Sequence, residues 1–348
     1  MPELRKDPIT ARWVIMATER GKRPSDFVPE TEEEESDEAI KHCPFCEGNE
    51  AMTPPEITAI RAPGTQKDTP GWKVRVTANK FPALRIEGDL GRRGIGMYDL
   101  MNGVGAHEVV IESPDHKKRL GHLPVSQIAD IFKVCRSRVE DLMKDRRFDY
   151  MLIFKNQGKS AGASLNHAHT QIIATPIVPK RVIEEIDGAI SHYQAKRRCI
   201  FCDIIDQEQM LATHRIIYSN DEIIAISPFA ARFPFEVWIL PKKHLADFTM
   251  ASDHNLQGFA EALKVVLLKL TKALNKPDYN HIIHTIPNRL NFNGSNPYIE
   301  EGYHWHMEII PRLTKLAGFE WGSGFYINPT LPEVAADYLR DTDITGEE

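Results

Sequence analysis

One arrangement of cysteine and histidine residues occurs twice along the 348 residues of this chain. In each half a CxxC pair comes first, followed by a histidine at the end of a predicted strand and then by an HxH motif. The first set is Cys43, Cys46, His116 and His167, and the second is Cys199, Cys202, His244 and His304. Six features recur in the same order around these sets. Such a repeat indicates a tandem duplication, which restricts the fold to two copies of one unit.

The hydrophobic patterns indicate that each unit mixes strands and helices. Segments rich in β-branched and aromatic residues predict strands, at residues 13–17, 72–77, 108–112, 150–154, 236–240 and 279–284. Apolar residues at helical spacing predict one long helix in each half, at 126–144 and 256–274. We therefore expect an α+β fold with an N-terminal unit over residues 1–180 and a C-terminal unit over residues 190–348.

Composition argues against several classes of partner. The net charge is −6, and seven of the 49 acidic residues lie in an acidic connector around residues 30–38. The rest is nearly neutral, so the chain lacks the general basic charge that holds a nucleic-acid backbone. No apolar stretch approaches the 18 residues of a membrane span, and the opening MPELRKDPIT has no signal-peptide core. We expect a cytoplasmic protein with no nucleic-acid or membrane partner.

The two Cys/His sets have the donor atoms that zinc prefers. Two thiolates and two imidazoles make a tetrahedral ligand set. A CxxC pair in a reducing compartment can also be redox-active, usually beside a thioredoxin-like βαβ pattern, which the sequence does not show. We predict two structural zinc ions per chain, one in each half. The fifth cysteine, Cys135, lies on the apolar face of a predicted helix and is assigned to the core.

The first HxH motif has neighbours that the second lacks. Residues i and i+2 of a strand face the same side, so His167 can bind metal while His169 and Gln171 project beside it. A Gly/Ser-rich loop over residues 156–164 precedes them, and its backbone amides can cradle phosphate. We predict that neutral His169 attacks phosphorus while a backbone carbonyl accepts its other ring N–H. The second half lacks this loop and the glutamine, so His306 is predicted to be structural.

These motifs and the opening segment RKDPITARWVIMATERGKRP resemble the galactose-1-phosphate uridylyltransferase family, a branch of the histidine-triad superfamily, along nearly the whole chain. The resemblance implies half-barrel antiparallel sheets with flanking helices. It also implies a homodimer in which C-terminal residues complete the partner's sugar site. It implies that His167 and His116 bind zinc, that His169 is the nucleophile and that Gln171 orients the phosphoryl group. It suggests Ser164, on the phosphate loop, as a third catalytic residue. The substrate contacts that it suggests are Arg20, Arg23, Asn79, Phe81, Asn156, Gly162 and Ala163, with Phe319 and Glu320 as candidate sugar contacts.

The chain also departs from the well-known galactose enzymes. It reads HAHTQ where they read HPHGQ, and residues 318–329 contain no glutamine of the kind that holds their hexose. The 318–329 stretch, the AGAS loop and the CxxC pairs at both sites look more like relatives that act as ADP-glucose phosphorylases. The leading hypothesis is ping-pong transfer of UMP from UDP-glucose to galactose-1-phosphate through nucleotidyl-His169. The alternatives are transfer of AMP from ADP-glucose to phosphate, a histidine-triad nucleotide hydrolase, and a zinc-stabilised binding module without catalysis.

Overall fold

The computed structural model describes residues 1–20, 36–210, 214–291 and 297–347. Within these ranges the strands are β1 (Glu3–Lys6), β2 (Trp13–Met16), β3 (Glu56–Arg61), β4 (Trp72–Ala78), β5 (Arg93–Ile95), β6 (Tyr98–Leu100), β7 (Ala106–Ile111), β8 (Tyr150–Gln157), β9 (His169–Thr175), β10 (Ile216–Ser219), β11 (Ile223–Ile226), β12 (Val237–Pro241), β13 (Tyr279–His284), β14 (His306–Pro311) and β15 (Tyr326–Asn328). The α-helices are α1 (Asp37–Lys41), α2 (Val125–Leu142), α3 (Lys180–Lys196), α4 (Ile200–Met210), α5 (Asp253–Ala273), α6 (Ile299–Gly302), α7 (Gly318–Ser323) and α8 (Pro332–Asp341).

Ten strands form one open antiparallel sheet to which both halves contribute. Its order is β10-β11-β12-β14-β13-β8-β9-β7-β4-β3. Each half contributes five strands, and counted from the edge to the centre both halves place their first, second, third, fifth and fourth strands in that order. At the centre β13 pairs with β8, with Tyr279 opposite Gln157 and Ile283 opposite Ile153. The predicted fold class, a duplicated α+β unit with antiparallel strands, is therefore confirmed. The two copies share one continuous sheet, because β8, the inner strand of the first half, pairs with β13, the inner strand of the second.

The predicted elements occur with small shifts at their ends. All six predicted strands are present within three residues of the expected bounds, and the two long helices are α2 and α5. Helix α5 begins earlier than its apolar spacing indicated, because Ser252 and Asn255 form a capping box at its start. The region around the expected unit boundary is occupied by helix α3, which buries Val182 and Ile186.

The two faces of the sheet carry different helices. Helices α2 and α5, one from each half, pack against each other and on one face, where Phe132 and Phe259 meet edge to face at 5.0 Å. Because side chains alternate along a strand, the other face packs against α3 and α4 and leaves part of its surface open to a cavity. The chain ends meet in a small sheet, in which β15 runs parallel to β2 and β1 antiparallel to it.

No helix in the described ranges is both long enough and apolar enough to cross a bilayer.

The Phe132–Phe259 contact predicts how strongly the two halves stabilise each other. Phe132 is fully buried in the shared core, so we expect Phe132→Ala to lower the free energy of unfolding by about 3–5 kcal/mol. Urea unfolding followed by circular dichroism measures this change. Met250→Ala, at a largely exposed position, is the control and should change stability by less than about 1 kcal/mol. A loss as small for Phe132→Ala as for the control would contradict the shared core.

Candidate active site

The first Cys/His set forms a compact group next to the start of β9. Cys46 Sγ lies 3.4 Å from His116 Nδ1 and 3.5 Å from His167 Nδ1, and Cys43 Sγ lies 3.6 Å from His167 Nδ1. Bonds of 2.3 Å to sulfur and 2.1 Å to nitrogen place tetrahedral ligands about 3.6 Å apart, so these spacings fit one metal ion. His167 Nε2–H donates to the carbonyl of Ser113 at 2.8 Å, which turns the Nδ1 lone pair towards the thiols.

The second set repeats this geometry in the other half. Cys202 Sγ lies 3.5 Å from His244 Nδ1 and 3.7 Å from His304 Nδ1. Both imidazoles donate Nε2–H to a backbone carbonyl, His244 to Glu300 and His304 to Pro241. Within each set all ligand atoms lie within 4.8 Å of one another. The chain therefore contains the two Cys₂His₂ metal-binding groups that the repeat predicts.

His169, the predicted nucleophile, is a buried neutral imidazole. Its Nδ1–H donates to the carbonyl of His167 at 2.7 Å, which is the backbone acceptor that the sequence predicted. Burial, reinforced by the positive charge of Lys155, lowers the pKa of His169 to about 4. Phe45, from the first CxxC turn, packs against the ring with centroids 5.2 Å apart. This tautomer leaves the Nε2 lone pair as the nucleophilic atom.

Gln171 is held by a histidine that the sequence analysis missed. The pairing of β7 with β9 sets Val109 opposite Gln171 and brings His107 beside it. His107 Nδ1 accepts from the N–H of Ala83 at 3.3 Å, so its Nε2–H donates to Gln171 Oε1 at 2.8 Å. The carboxamide oxygen of Gln171 is thereby engaged, and its NH₂ group remains to donate to an anionic oxygen.

The glycine-rich loop is pinned by residues of the second half. Gly158 has φ +84°, and a Cβ there would lie 1.7 Å from Asp278 Oδ1. Asp278 also accepts from the N–H of Ser160 at 2.6 Å. Asn280 Nδ2 donates to Asn156 Oδ1 at 2.8 Å and to the carbonyl of Ala161 at 2.9 Å. Sequence reasoning missed Asp278 and Asn280, because only the pairing of β13 with β8 brings them here.

Within the loop, several amides expected to hold phosphate are used by the turn itself. The N–H groups of Ala161 and Ala163 donate to the carbonyl of Gly158, and that of Gly162 donates to Lys159. Ser164, in contrast, is exposed at the end of the loop. Side chains beside the loop are therefore the better candidates for phosphate contacts.

Four other predicted substrate residues lie in two places. Asn79 accepts from the N–H of Phe81 at 2.9 Å, and its Nδ2 lies 3.1 Å from Nε2 of His107, the residue that contacts Gln171. Phe81 is 83% exposed. Phe319 and Glu320 lie on α7, whose Trp321 lines a cavity of about 1220 Å³ on the open sheet face. His169 does not line that cavity.

Of the two predicted arginines, Arg20 lies within the described residues. The backbone of Arg20 closes a 3₁₀ turn (Thr18–Arg20). Arg23 lies outside the residues that the structure describes.

The second half repeats the backbone bond that orients His169, but different side chains surround the equivalent histidine, His306. His306 Nδ1–H donates to the carbonyl of His304 at 3.1 Å, as His169 does in the first half. His306 Nε2, however, lies 3.1 Å from Glu185, and His284 stacks on the ring with centroids 4.8 Å apart. Burial alone would lower the pKa of His284, but the charges of Glu185 and Glu308 outweigh it and raise the pKa to about 10.

Glu185, His284 and His306 form a third group with metal-ligating chemistry. Their donor atoms lie within 4.8 Å of one another. The sequence analysis did not find this trio, because Glu185 lies on a helix in the expected linker and the HxH motif was assigned to the Cys₂His₂ group.

Comparison with known proteins identifies the family. Residues 1–179 match the family described as galactose-1-phosphate uridyl transferase, N-terminal domain, and residues 105–342 match a domain of unknown function, DUF4921. ADP-glucose phosphorylase from Arabidopsis thaliana is 37% identical over 99% of this chain and 94% of its own length. Galactose-1-phosphate uridylyltransferase from Thermotoga maritima is 32% identical over 99% of each chain.

Solved structures agree with these relatives. The A. thaliana ADP-glucose phosphorylase with bound ADP-glucose superposes with a TM-score of 0.82 and 35% identity, covering 99% of this chain and 100% of that one. A uridylyltransferase structure gives a TM-score of 0.72 and 29% identity, covering 98% and 97%. The chain belongs to the galactose-1-phosphate uridylyltransferase family, as the resemblance predicted. It is a nucleotidyltransferase.

The two Cys₂His₂ groups predict separable metal binding. We expect Cys46→Ser and Cys202→Ser each to lower the bound metal by one equivalent per chain, because a chelating thiolate is lost from one group only. Elemental analysis of the purified variants measures this change. Cys135→Ala, which removes the core cysteine, is the control and should leave the metal content unchanged. Loss of both equivalents in a single variant would contradict two independent groups.

Proposed function

We propose that the chain transfers a nucleotidyl group by a ping-pong mechanism through a covalent nucleotidyl-His169. The observation that carries this proposal is the bond from His169 Nδ1–H to the His167 carbonyl, which leaves Nε2 as the nucleophilic atom. Nε2 attacks the α-phosphorus of UDP-glucose, the bond to the β-phosphate oxygen breaks, and glucose-1-phosphate leaves. The carbonyl of His167 then stabilises the imidazolium. A second sugar phosphate, galactose-1-phosphate, attacks the same phosphorus and restores the neutral ring.

The neighbouring residues are assigned to binding and orientation. The free NH₂ group of Gln171 donates to a phosphoryl oxygen as charge develops there. The Ser164 hydroxyl and the Asn156 side chain contact the substrate phosphates beside Gly162 and Ala163. Sequence resemblance alone supports phosphate contacts from Arg20 and Arg23.

The base and ribose of the nucleotide are assigned to Asn79 and Phe81. The exposed Phe81 ring offers a stacking surface.

Zinc is the metal that we propose for both Cys₂His₂ groups. Their sulfur and nitrogen donors and the 3.4–3.7 Å spacings suit a tetrahedral ion with no open position, so the role is structural. In the first group, His167 and the CxxC turn that carries Phe45 would be fixed together. This arrangement would hold the His169 ring between the His167 carbonyl and Phe45.

We further propose a cytoplasmic homodimer built from units at residues 1–180 and 190–348. Phe319 and Glu320 would contact the sugar in the partner's active site. Trp321 of the same helix lines a cavity whose lining does not include the chain's own His169. A reducing cytoplasm would keep the four CxxC thiols available as metal ligands.

Transfer of AMP from ADP-glucose to inorganic phosphate is the second candidate reaction. It is favoured by the higher identity to ADP-glucose phosphorylase, 37% against 32%, and by the absence of glutamine from residues 318–329. The covalent step at His169 is the same. A hydrolase has less support because its relatives carry a third histidine where this chain has Gln171.

Assay of each donor with each acceptor distinguishes these reactions. UDP-glucose and ADP-glucose are each incubated with galactose-1-phosphate or with inorganic phosphate, and the released glucose-1-phosphate is measured. The uridylyltransferase proposal predicts that UDP-glucose with galactose-1-phosphate gives the highest kcat/KM. A preference for ADP-glucose with phosphate would establish the second candidate. Equal release without any acceptor would indicate hydrolysis and contradict both.

The duplicated frame supplies a matched control for the nucleophile. We expect His169→Asn to lower kcat by roughly 10³-fold or more, because the covalent step loses its attacking atom. His306→Asn changes the equivalent histidine of the other half and should retain kcat within about tenfold if its role is structural. Circular dichroism checks that both variants fold. Wild-type turnover in His169→Asn would contradict the mechanism.

A further inference from the structure

A fully buried ion pair lies directly behind the predicted nucleophile, on the face of the sheet that α2 and α5 cover. Lys155 Nζ lies 3.0 and 3.1 Å from the two carboxylate oxygens of Glu112, and neither side chain is exposed to solvent. The same ammonium donates to the main-chain carbonyl of His169 at 3.1 Å. The pair thus contacts the backbone of the nucleophile from the face opposite to the site.

Further bonds from the same segment hold the residues on either side of His169. Thr170 Oγ1 donates to Glu112 Oε1 at 2.7 Å, and the N–H of Glu112 donates to the carbonyl of Ala168 at 3.2 Å. His167 donates to the carbonyl of Ser113. All four residues from 167 to 170 are therefore bonded to Lys155 or to residues 112–113.

Fold stability alone gives no reason for this ion pair. Burying two charges costs several kcal/mol per ion, and replacing a buried pair by apolar residues is often neutral or stabilising. The second half has such an apolar version. There Ile283 pairs with Met307, the residue after His306, and both are fully buried. In the first half, the register that pairs Phe154 with Gln171 sets Lys155 beside Thr170.

We propose that the Lys155–Glu112 pair is a positioning device for the nucleophile, present only in the half that performs the chemistry. During attack the bond from Nε2 to phosphorus forms, the bond to the leaving sugar phosphate breaks, and the ring becomes cationic. The ring must keep its line of approach while phosphorus moves towards it. By binding the carbonyl of His169 and the hydroxyl of Thr170, the pair prevents the 169–170 peptide from tilting. This inference rests on the proposed role of His169.

Removal of both charges separates positioning from stability. Lys155→Met with Glu112→Leu leaves no unpaired buried charge, so we expect the urea midpoint to return towards the wild-type value, whereas each single variant is destabilised. We expect kcat and the single-turnover rate of nucleotidyl-enzyme formation to fall about 10- to 100-fold in the double variant, as for a misplaced reacting group. KM for the donor should change less than threefold. A folded double variant with wild-type kcat would overturn the proposal.

Thr170 provides a second test should the double variant not fold. Thr170→Val keeps the shape and removes the bond to Glu112, so we expect kcat to fall at least threefold at unchanged KM. Thr170→Ser keeps the hydroxyl and should therefore keep the wild-type kcat. Equal kcat for the valine and serine variants would overturn the proposal.

A second buried ion pair serves as the control, and the His169 variant distinguishes failure of the positioning role from failure of the proposed function. Arg215 lies 2.6 Å from Glu208 in the other half and 2.8 Å from Glu333, which keeps Arg5 as a partner when Arg215 is replaced. Arg215→Met with Glu208→Leu should leave kcat within twofold, and a loss as large as at Lys155 would overturn the positioning role. An active His169→Asn variant would contradict the proposed function itself. An inactive one, beside a fully active Lys155/Glu112 double variant, would contradict only this inference.

Discussion

His167 connects the metal-ligand group to the nucleophile through three of its own atoms. Nδ1 faces the thiols of Cys43 and Cys46, Nε2–H donates to Ser113, and the carbonyl oxygen accepts from His169. A shift of this residue would move the CxxC turn and the ring of His169 together. The chemistry of the site therefore depends on a bond network that joins His167, two residues before β9, to His169, the first residue of that strand.

The duplication explains why one scaffold carries two different sites. Both halves keep the Cys₂His₂ group and the histidine that donates to the carbonyl two residues before it. In the first half that histidine lies beside Gln171 and a glycine-rich loop. In the second half it is enclosed by Glu185, His284 and Glu308. The central pairing of β8 with β13 makes the halves interdependent, because Asn280 of one holds the loop of the other.

Much of this arrangement follows from local patterns in the sequence. The HxH spacing predicts that His167 and His169 lie side by side, and they do, although His167 lies just before β9 and not within it. The repeat of CxxC identifies both ligand sets. Strand register is not encoded locally, so His107 and Asn280 were missed although each contacts a predicted site residue. Lys155 was missed for a related reason: its partner Glu112 lies 43 residues away and meets it only across the sheet.

The covalent intermediate provides the most direct test of the central claim. The wild-type protein is incubated with UDP-glucose or ADP-glucose without acceptor, quenched in base, digested and mapped by mass spectrometry. We expect one nucleotidyl group per chain, on the peptide that contains His169, whichever donor is accepted. A nucleotidyl group on the peptide that contains His306, or turnover with no modified peptide, would contradict it.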